Sequence, residues 1–389
     1  MIYLDNAAST PVLEEVFQEM MPYLKESYGN PSSLHKFGRV AMHAIQKARK
    51  QVAGMINANQ RDVIFTSGGT EANNLAIKGA ALHMRGINPR KKHIVTSSIE
   101  HEAVLEPIKD LERNGFEVTY LPVTAEGKVE PTTLENAISE QKTALVCIMF
   151  ANNEVGTIQP IIELAKITHS RGGNAIFHTD AVQAVGKIPI DVKQMNIDLL
   201  SISSHKINGP KGVGALFIRN GLKIDPLIHG GGQEYMLRSG TENVYGIIGF
   251  GKACEIASQR LSFNSVHMLQ LRNYLIDKII NEIPNCRLNG SLENRIPNNA
   301  HFTFSKVNGE DLIIKLDEYG IAASTGSACS VKKRKSSHVL KAMGFTFEEI
   351  TGSLRLSIGV QNTKREIDQA VSTLSEIVKQ LRIISPFKS

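Results

Sequence analysis

The stretch Asp198-Leu-Leu-Ser-Ile-Ser-Ser-His-Lys-Ile-Asn-Gly-Pro-Lys-Gly212 ends an apolar run with small hydroxyl residues and then a lysine, Lys206. Asp198 to Ser203 reads as a short buried strand, and Asn208-Gly209-Pro210 forces a turn directly after it. Lys206 therefore stands at a strand end beside Ser203, Ser204 and His205, where partial desolvation favours the neutral amine that can form a Schiff base. A lysine met alone is usually a solvated surface residue. A second stretch, His178-Thr-Asp-Ala-Val-Gln183, shifts that balance, because it sets an acid and an amide at the end of another predicted strand, Ala175 to Thr179. A carboxylate for a pyridine nitrogen, a donor for a phenolic oxygen and an amine, all at neighbouring strand ends, are what pyridoxal phosphate requires.

Outward from this pair the pattern is strand, turn and helix, repeated. Strands are predicted at 63–66, 93–96, 117–121, 144–150, 175–179, 199–203 and 213–218, with helices between most of them, so an α/β fold with a mostly parallel seven-stranded sheet is expected. Ligands bind such sheets at the carboxyl ends of the strands. Five polar clusters fall there: Gly69-Thr70, His101, Asn152-Asn153-Glu154, Asp180 to Gln183, and Ser203 to Lys206. Ser67-Gly-Gly-Thr70 opens a helix and leaves free N–H groups for a phosphate, although a plain helix cap reads the same way. His101 can cap a helix or stack on a ring.

Before the sheet, helices are predicted over 13–24 and 35–56, the latter with Val40, Ala44, Ala48, Val52 and Met55 on one stripe. After it come a glycine-rich stretch, His229-Gly-Gly-Gly-Gln233 to Thr241, and a helical pattern over 246–283 broken near Ser262. Beyond Pro284 the order loosens, ending in a helix over 364–383. We assign 13–262 to a large domain, and 1–12 with 263–389 to a smaller α/β domain. The latter holds Gly326-Ser-Ala-Cys329-Ser-Val-Lys-Lys-Arg-Lys335, where nearby positive charge favours a reactive thiolate.

Composition agrees with a soluble enzyme. The 389 residues are 42% hydrophobic and 21% charged, and the net charge of +6 is spread out apart from 332–335, which argues against direct nucleic-acid binding. No apolar run is long enough for a membrane helix, and the N-terminus lacks the features of a signal peptide, so a cytoplasmic protein is expected. Cys147, Cys254, Cys286 and Cys329 are far apart and suggest neither a disulfide framework nor a metal site.

Together the motifs Tyr3-Leu-Asp-Asn-Ala-Ala, Tyr28-Gly-Asn-Pro-Ser-Ser, Gly68-Gly-Thr-Glu-Ala-Asn-Asn, Glu100-His101, Asn152-Asn-Glu-Val-Gly, Asp180-Ala-Val-Gln, Ser203-Ser-His-Lys206, Arg238-Ser-Gly-Thr241, Gly326-Ser-Ala-Cys329 and Leu354-Arg355-Leu-Ser form a specific set. On these, nearly end to end, the chain resembles the pyridoxal-phosphate cysteine desulfurases of the NifS/IscS type, in the class V aminotransferase group. The resemblance implies the aspartate-aminotransferase fold (fold type I) and a homodimer. It implies that Lys206 carries the cofactor, Asp180 pairs with the pyridine nitrogen, Gln183 meets the phenolic oxygen and His101 stacks on the ring. Gly69, Thr70, Ser203 and His205 are implied at the phosphate, with Thr241 of the partner subunit. Asn152 is implied at the cofactor and, with Asn30 and Arg355, at the substrate L-cysteine. Cys329 is implied as the sulfur acceptor, handing sulfur to an iron-sulfur scaffold protein or a tRNA thiolation enzyme. An aminotransferase or selenocysteine lyase of the same fold needs Lys206 but not Cys329; a non-catalytic scaffold needs neither.

Overall fold

The computed structural model describes residues 1–326 and 336–384. Strands β1 (Ile2–Tyr3), β2 (Val63–Thr66), β3 (His93–Ser97), β4 (Glu117–Leu121), β5 (Thr143–Cys147), β6 (Ile176–Asp180), β7 (Leu199–Ser203) and β8 (Gly214–Ile218) are followed by β9 (Cys286–Leu288), β10 (Asn299–Phe304), β11 (Ile321–Ala322) and β12 (Ser353–Ser357). Seven form one sheet in the order β2-β8-β7-β6-β5-β3-β4. Only β8 runs against its neighbours, since it pairs antiparallel with both β2 and β7 while the other pairings are parallel.

Alternation along these strands shows why both faces are covered. Phe65, Val95, Val146, Phe177, Leu200 and Phe217 join the core that contains Ile45, Val52, Ile247 and Phe250 of helices Lys36–Met55 and Val244–Gln259. Their sequence neighbours Ile64, Ile94, Leu145, Ile176, Leu199 and Leu216 pack instead with Leu75, Ile77, Val104 and Ile108 of helices Gly69–Ile87 and Glu102–Arg113. Successive side chains point to opposite faces, so a strand buried on both sides carries apolar residues on both. Of the stripe read from sequence, Ala44, Ala48, Val52 and Met55 are buried, whereas Val40 is exposed. The long pattern over 246–283 divides at Arg260, giving helices Val244–Gln259 and Leu261–Glu282.

A second core gathers Leu275 from the helix after that break, Phe302 and Leu356 from the sheet β12-β10-β9, and Leu374 and Val378 from the last helix, Lys364–Ile384. Ile2 and Leu4 belong to it, because β1 pairs in parallel with β11 near the far end of the chain. The N-terminal strap that follows, residues 5–10, then crosses to the seven-stranded sheet. Thr10 Oγ1 donates to the carbonyl oxygen of His205 at 2.9 Å.

Candidate active site

A cavity of about 570 Å3 opens at the carboxyl ends of β2, β3, β6 and β7. Gly69, Thr70, His101, Asp180, Gln183, Ser203, His205 and Lys206 line it from the large sheet, and Arg355 from β12. Those from the large sheet arrive by one local device, in which a buried strand ends and polar residues at or just after its end turn into the cavity, whereas Arg355 projects from the middle of β12.

Asp180 ends β6 and is held from two sides. Its Oδ2 accepts from Asn73 Nδ2 at 2.7 Å and its Oδ1 from the Val182 N–H at 2.9 Å. Gln183 Nε2 donates to the Ala7 carbonyl at 2.9 Å, and its buried Oε1 has no partner among the described residues. Lys206 ends the single 3-10 turn after β7, and its Nζ donates to the carbonyls of Ala7 at 2.6 Å and Ala8 at 2.7 Å. The strap therefore lies across the lysine and the glutamine together.

Helix Gly69–Ile87 begins with no side-chain cap, because its N-cap is Gly68. Gly68 has φ of 155°, a backbone conformation open to glycine alone, and a Cβ on Gly69 would stand 2.8 Å from Val182 Cγ2. The first turn thus presents bare N–H groups at the positive helix end, beside the hydroxyls of Thr70 and Ser203. Burial, with the charges of Lys206, Lys211 and Lys187, pushes His205 down to about 4, so its ring is neutral at pH 7. His101 caps helix Glu102–Arg113, accepting from the Ala103 N–H at 3.0 Å, and burial lowers its pKa against the opposing pull of Asp180. A phosphate at the helix end, a pyridine nitrogen against Asp180, a phenolic oxygen near Gln183 and a carbonyl carbon at Lys206 all find matching groups, so these residues fit pyridoxal phosphate.

Three predicted residues lie elsewhere. Asn30 and Thr241 are exposed and do not line the cavity of their own chain. Asn152 is buried beneath it: Nδ2 donates to the Ile99 carbonyl, and Oδ1 accepts from the N–H groups of Glu154 and Val155. The adjacent Asn153 lines the wall instead. Cys329 lies outside the described residues, although Gly326 and Ser336 on either side of that segment both line the cavity. Sequence reasoning assigns no role to Asn73. Its position four residues after Gly69, on one helix face, is the signal that points to it.

Residues 2–370 match the family model described as aminotransferase class-V. The chain belongs to the class-V aminotransferase family. It is 50% identical over 387 residues to a protein of Dictyoglomus turgidum named cysteine desulfurase IscS, covering 100% of this chain and 97% of that one. A protein of the same name from Methanosarcina thermophila is 51% identical over 385 residues, covering 99% and 94%. Among solved structures, a NifS-like protein superposes with a TM-score of 0.91 at 40% identity, over 97% of this chain and 99% of that one. Another, titled SspA in complex with cysteine, gives 0.82 at 39% identity, over 93% and 100%. As a class-V aminotransferase the chain is a pyridoxal-phosphate enzyme of fold type I.

Proposed function

We propose that the protein is a cysteine desulfurase, which converts L-cysteine to L-alanine and transfers the sulfur to Cys329. The observation that carries this reading is the meeting, in one cavity, of Lys206, Asp180 and Gln183 with Arg355, in a wall completed by Gly326 and Ser336. When bound, pyridoxal phosphate supplies a carbonyl for an amine and a ring that takes up the electron pair released at Cα. Arg355 receives the cysteine carboxylate. The Lys206 amine takes the Cα proton, and the carbonyls of Ala7 and Ala8 hold it in place. Asp180, itself fixed by Asn73, keeps a proton on the ring nitrogen. His101, neutral through burial, accepts and returns a proton.

The Cys329 thiolate then attacks the substrate sulfur. An S–S bond forms, the Cβ–S bond breaks with its electron pair going to carbon, and protonation completes alanine, so cysteine and one protein thiol give alanine and one persulfide. The described cysteines do not compete for this role, since burial raises the thiol pKa of Cys147, Cys254 and Cys286. Mass spectrometry after incubation with cysteine tests the reading: one added sulfur on the Cys329 peptide is expected, and sulfur on another cysteine overturns it.

Exposed Thr241 and Asn30, with exposed Tyr28, Leu34, Phe37 and Met236, support a homodimer in which Thr241 reaches the partner's phosphate. Sedimentation at micromolar concentration tests it. The enzyme acts in the cytoplasm and passes sulfur to an iron-sulfur scaffold protein or a tRNA thiolation enzyme. No helix among the described residues is long and apolar enough to cross a membrane.

A further inference from the structure

Arg355 reaches the cavity already paired. Its side chain is 3% exposed, and Nη2 donates to Asp5 Oδ1 at 2.8 Å. Nη1 donates to the carbonyls of Asn153 at 2.8 Å and Gly326 at 3.2 Å, while the buried Nε has no partner among the described residues. Asp5 is less enclosed, at 19%. Its backbone is fixed beside β12 by a bridge to Ser357, so the carboxylate can turn toward water without moving the chain.

A buried guanidinium left without a counter-charge is strongly destabilised. Asp5 meets that need before substrate arrives. A substrate carboxylate that binds with both oxygens needs two adjacent N–H groups, and with Nη1 turned to two carbonyls the remaining edge is Nε with Nη2. That edge brings a second anion to the nitrogen Asp5 already holds, and two carboxylates on one nitrogen repel each other.

We propose that Asp5 is a positioning residue that sets substrate affinity, a resident carboxylate that holds the Arg355 guanidinium and gives it up to the carboxylate of the incoming amino acid. The inference rests on the reading of Arg355 as the substrate's carboxylate partner. Affinity for an amino acid is then a difference between two carboxylates, and the charge of Asp5 sets it. Asn at this position keeps the hydrogen-bond acceptor and the shape but removes the competing charge.

The test titrates the holoenzyme with L-alanine, which has the carboxylate and amine but no sulfur, and follows heat and the visible spectrum. Asp5→Asn is expected to bind alanine about tenfold more tightly than wild type, with KM for cysteine falling in step and kcat not rising. Asp5→Glu keeps the charge and is expected to bind alanine as wild type does. Unchanged or weaker alanine binding in an Asp5→Asn protein that melts like wild type overturns the inference. Should Asp5→Asn not fold, wild-type crystals grown with and without alanine decide: Asp5 is expected on Nη2 in the free enzyme alone, and Asp5 still on Nη2 with alanine bound overturns the exchange. Arg355→Gln separates the two readings. If that variant binds alanine as wild type does, the assignment of Arg355 itself has failed; if it loses alanine while Asp5→Asn gains nothing, only the exchange has.

Discussion

The two walls of the cavity are built by different means. On one, Thr70, Asp180, Ser203 and Lys206 stand at or just after the ends of strands locked into a single sheet, and the end of each strand sets where its residue points. On the other, Arg355 and the strap come from opposite ends of the chain, joined by pairs such as Arg355 with Asp5, 350 positions apart. The strands of both walls, β2, β6 and β7 on the first and β12 on the second, are buried at every position, and the first is the stiffer because its strands belong to a seven-stranded sheet whereas β12 is the edge of a three-stranded one. The second holds itself by hydrogen bonds that a substrate carboxylate can enter. A cofactor that stays bound suits the first, and a substrate that comes and goes suits the second.

The largest break in this comparison is expected on the rigid wall. Lys206→Ala removes the amine proposed to attach the cofactor and take the Cα proton, so turnover should fall by about a thousandfold or more, and after borohydride and dialysis no cofactor should remain on the protein, whereas in wild type borohydride fixes it to Lys206. Retained turnover would move the chemistry off β7. Next, Asp180→Asn keeps the shape held by Asn73 but cannot play the proposed part of keeping the ring nitrogen protonated. A drop in kcat of about a hundredfold is expected with KM little changed, measured as alanine release. On the adaptable wall the effect should be smaller and lie in KM: Arg355→Lys replaces a planar fork by a point charge, and about a tenfold rise in KM for cysteine is expected. A fall in kcat alone would place Arg355 with the rigid wall instead.

The same contrast explains which features are legible in the amino-acid sequence. Lys206, Asp180 and Gln183 are legible because the signal is local: an apolar run gives way to polar residues within one turn, and a mostly parallel seven-stranded sheet follows from the strand-helix repeat. The direction of β8 is not, since its five residues, Gly214–Ile218, are as apolar as any parallel strand. Asn152 and Asn153 show a finer limit. Both are asparagines at a strand end, and only the turn, in which Asn152 Oδ1 accepts from two backbone N–H groups, decides that Asn153 faces the cavity. The acceptors for Lys206 are the backbone carbonyls of Ala7 and Ala8, which leave no mark in the identity of a side chain.

A last effect, on stability and not on turnover, sharpens the comparison through pH. Glu100, next to His101, is fully enclosed beneath the rigid wall, and burial pushes its carboxyl from 4.5 up to about 8, against the hydrogen bonds that Oε1 accepts from Ser97 Oγ and the Met149 N–H. The folded protein thus keeps a proton that the unfolded chain releases near 4.5. Between these values the native state binds more protons, so this group favours folding fully below about 4.5 and loses that contribution as pH rises to about 8. His205, lowered to about 4, tilts the other way, since it disfavours folding as pH falls below its unfolded value of 6.5. Glu100→Gln keeps the oxygen that accepts both bonds and cannot ionise. Its thermal midpoint should match wild type at pH 4 and exceed it at pH 9, by an amount equivalent to a few kcal/mol at most, while the His205 contribution cancels because both proteins carry it. Scanning calorimetry of the two holoenzymes across this range reads the difference directly. A gap that does not widen with pH means that Glu100 is already ionised in the folded protein, and that the floor beneath His101 is open enough to water to hold a charge.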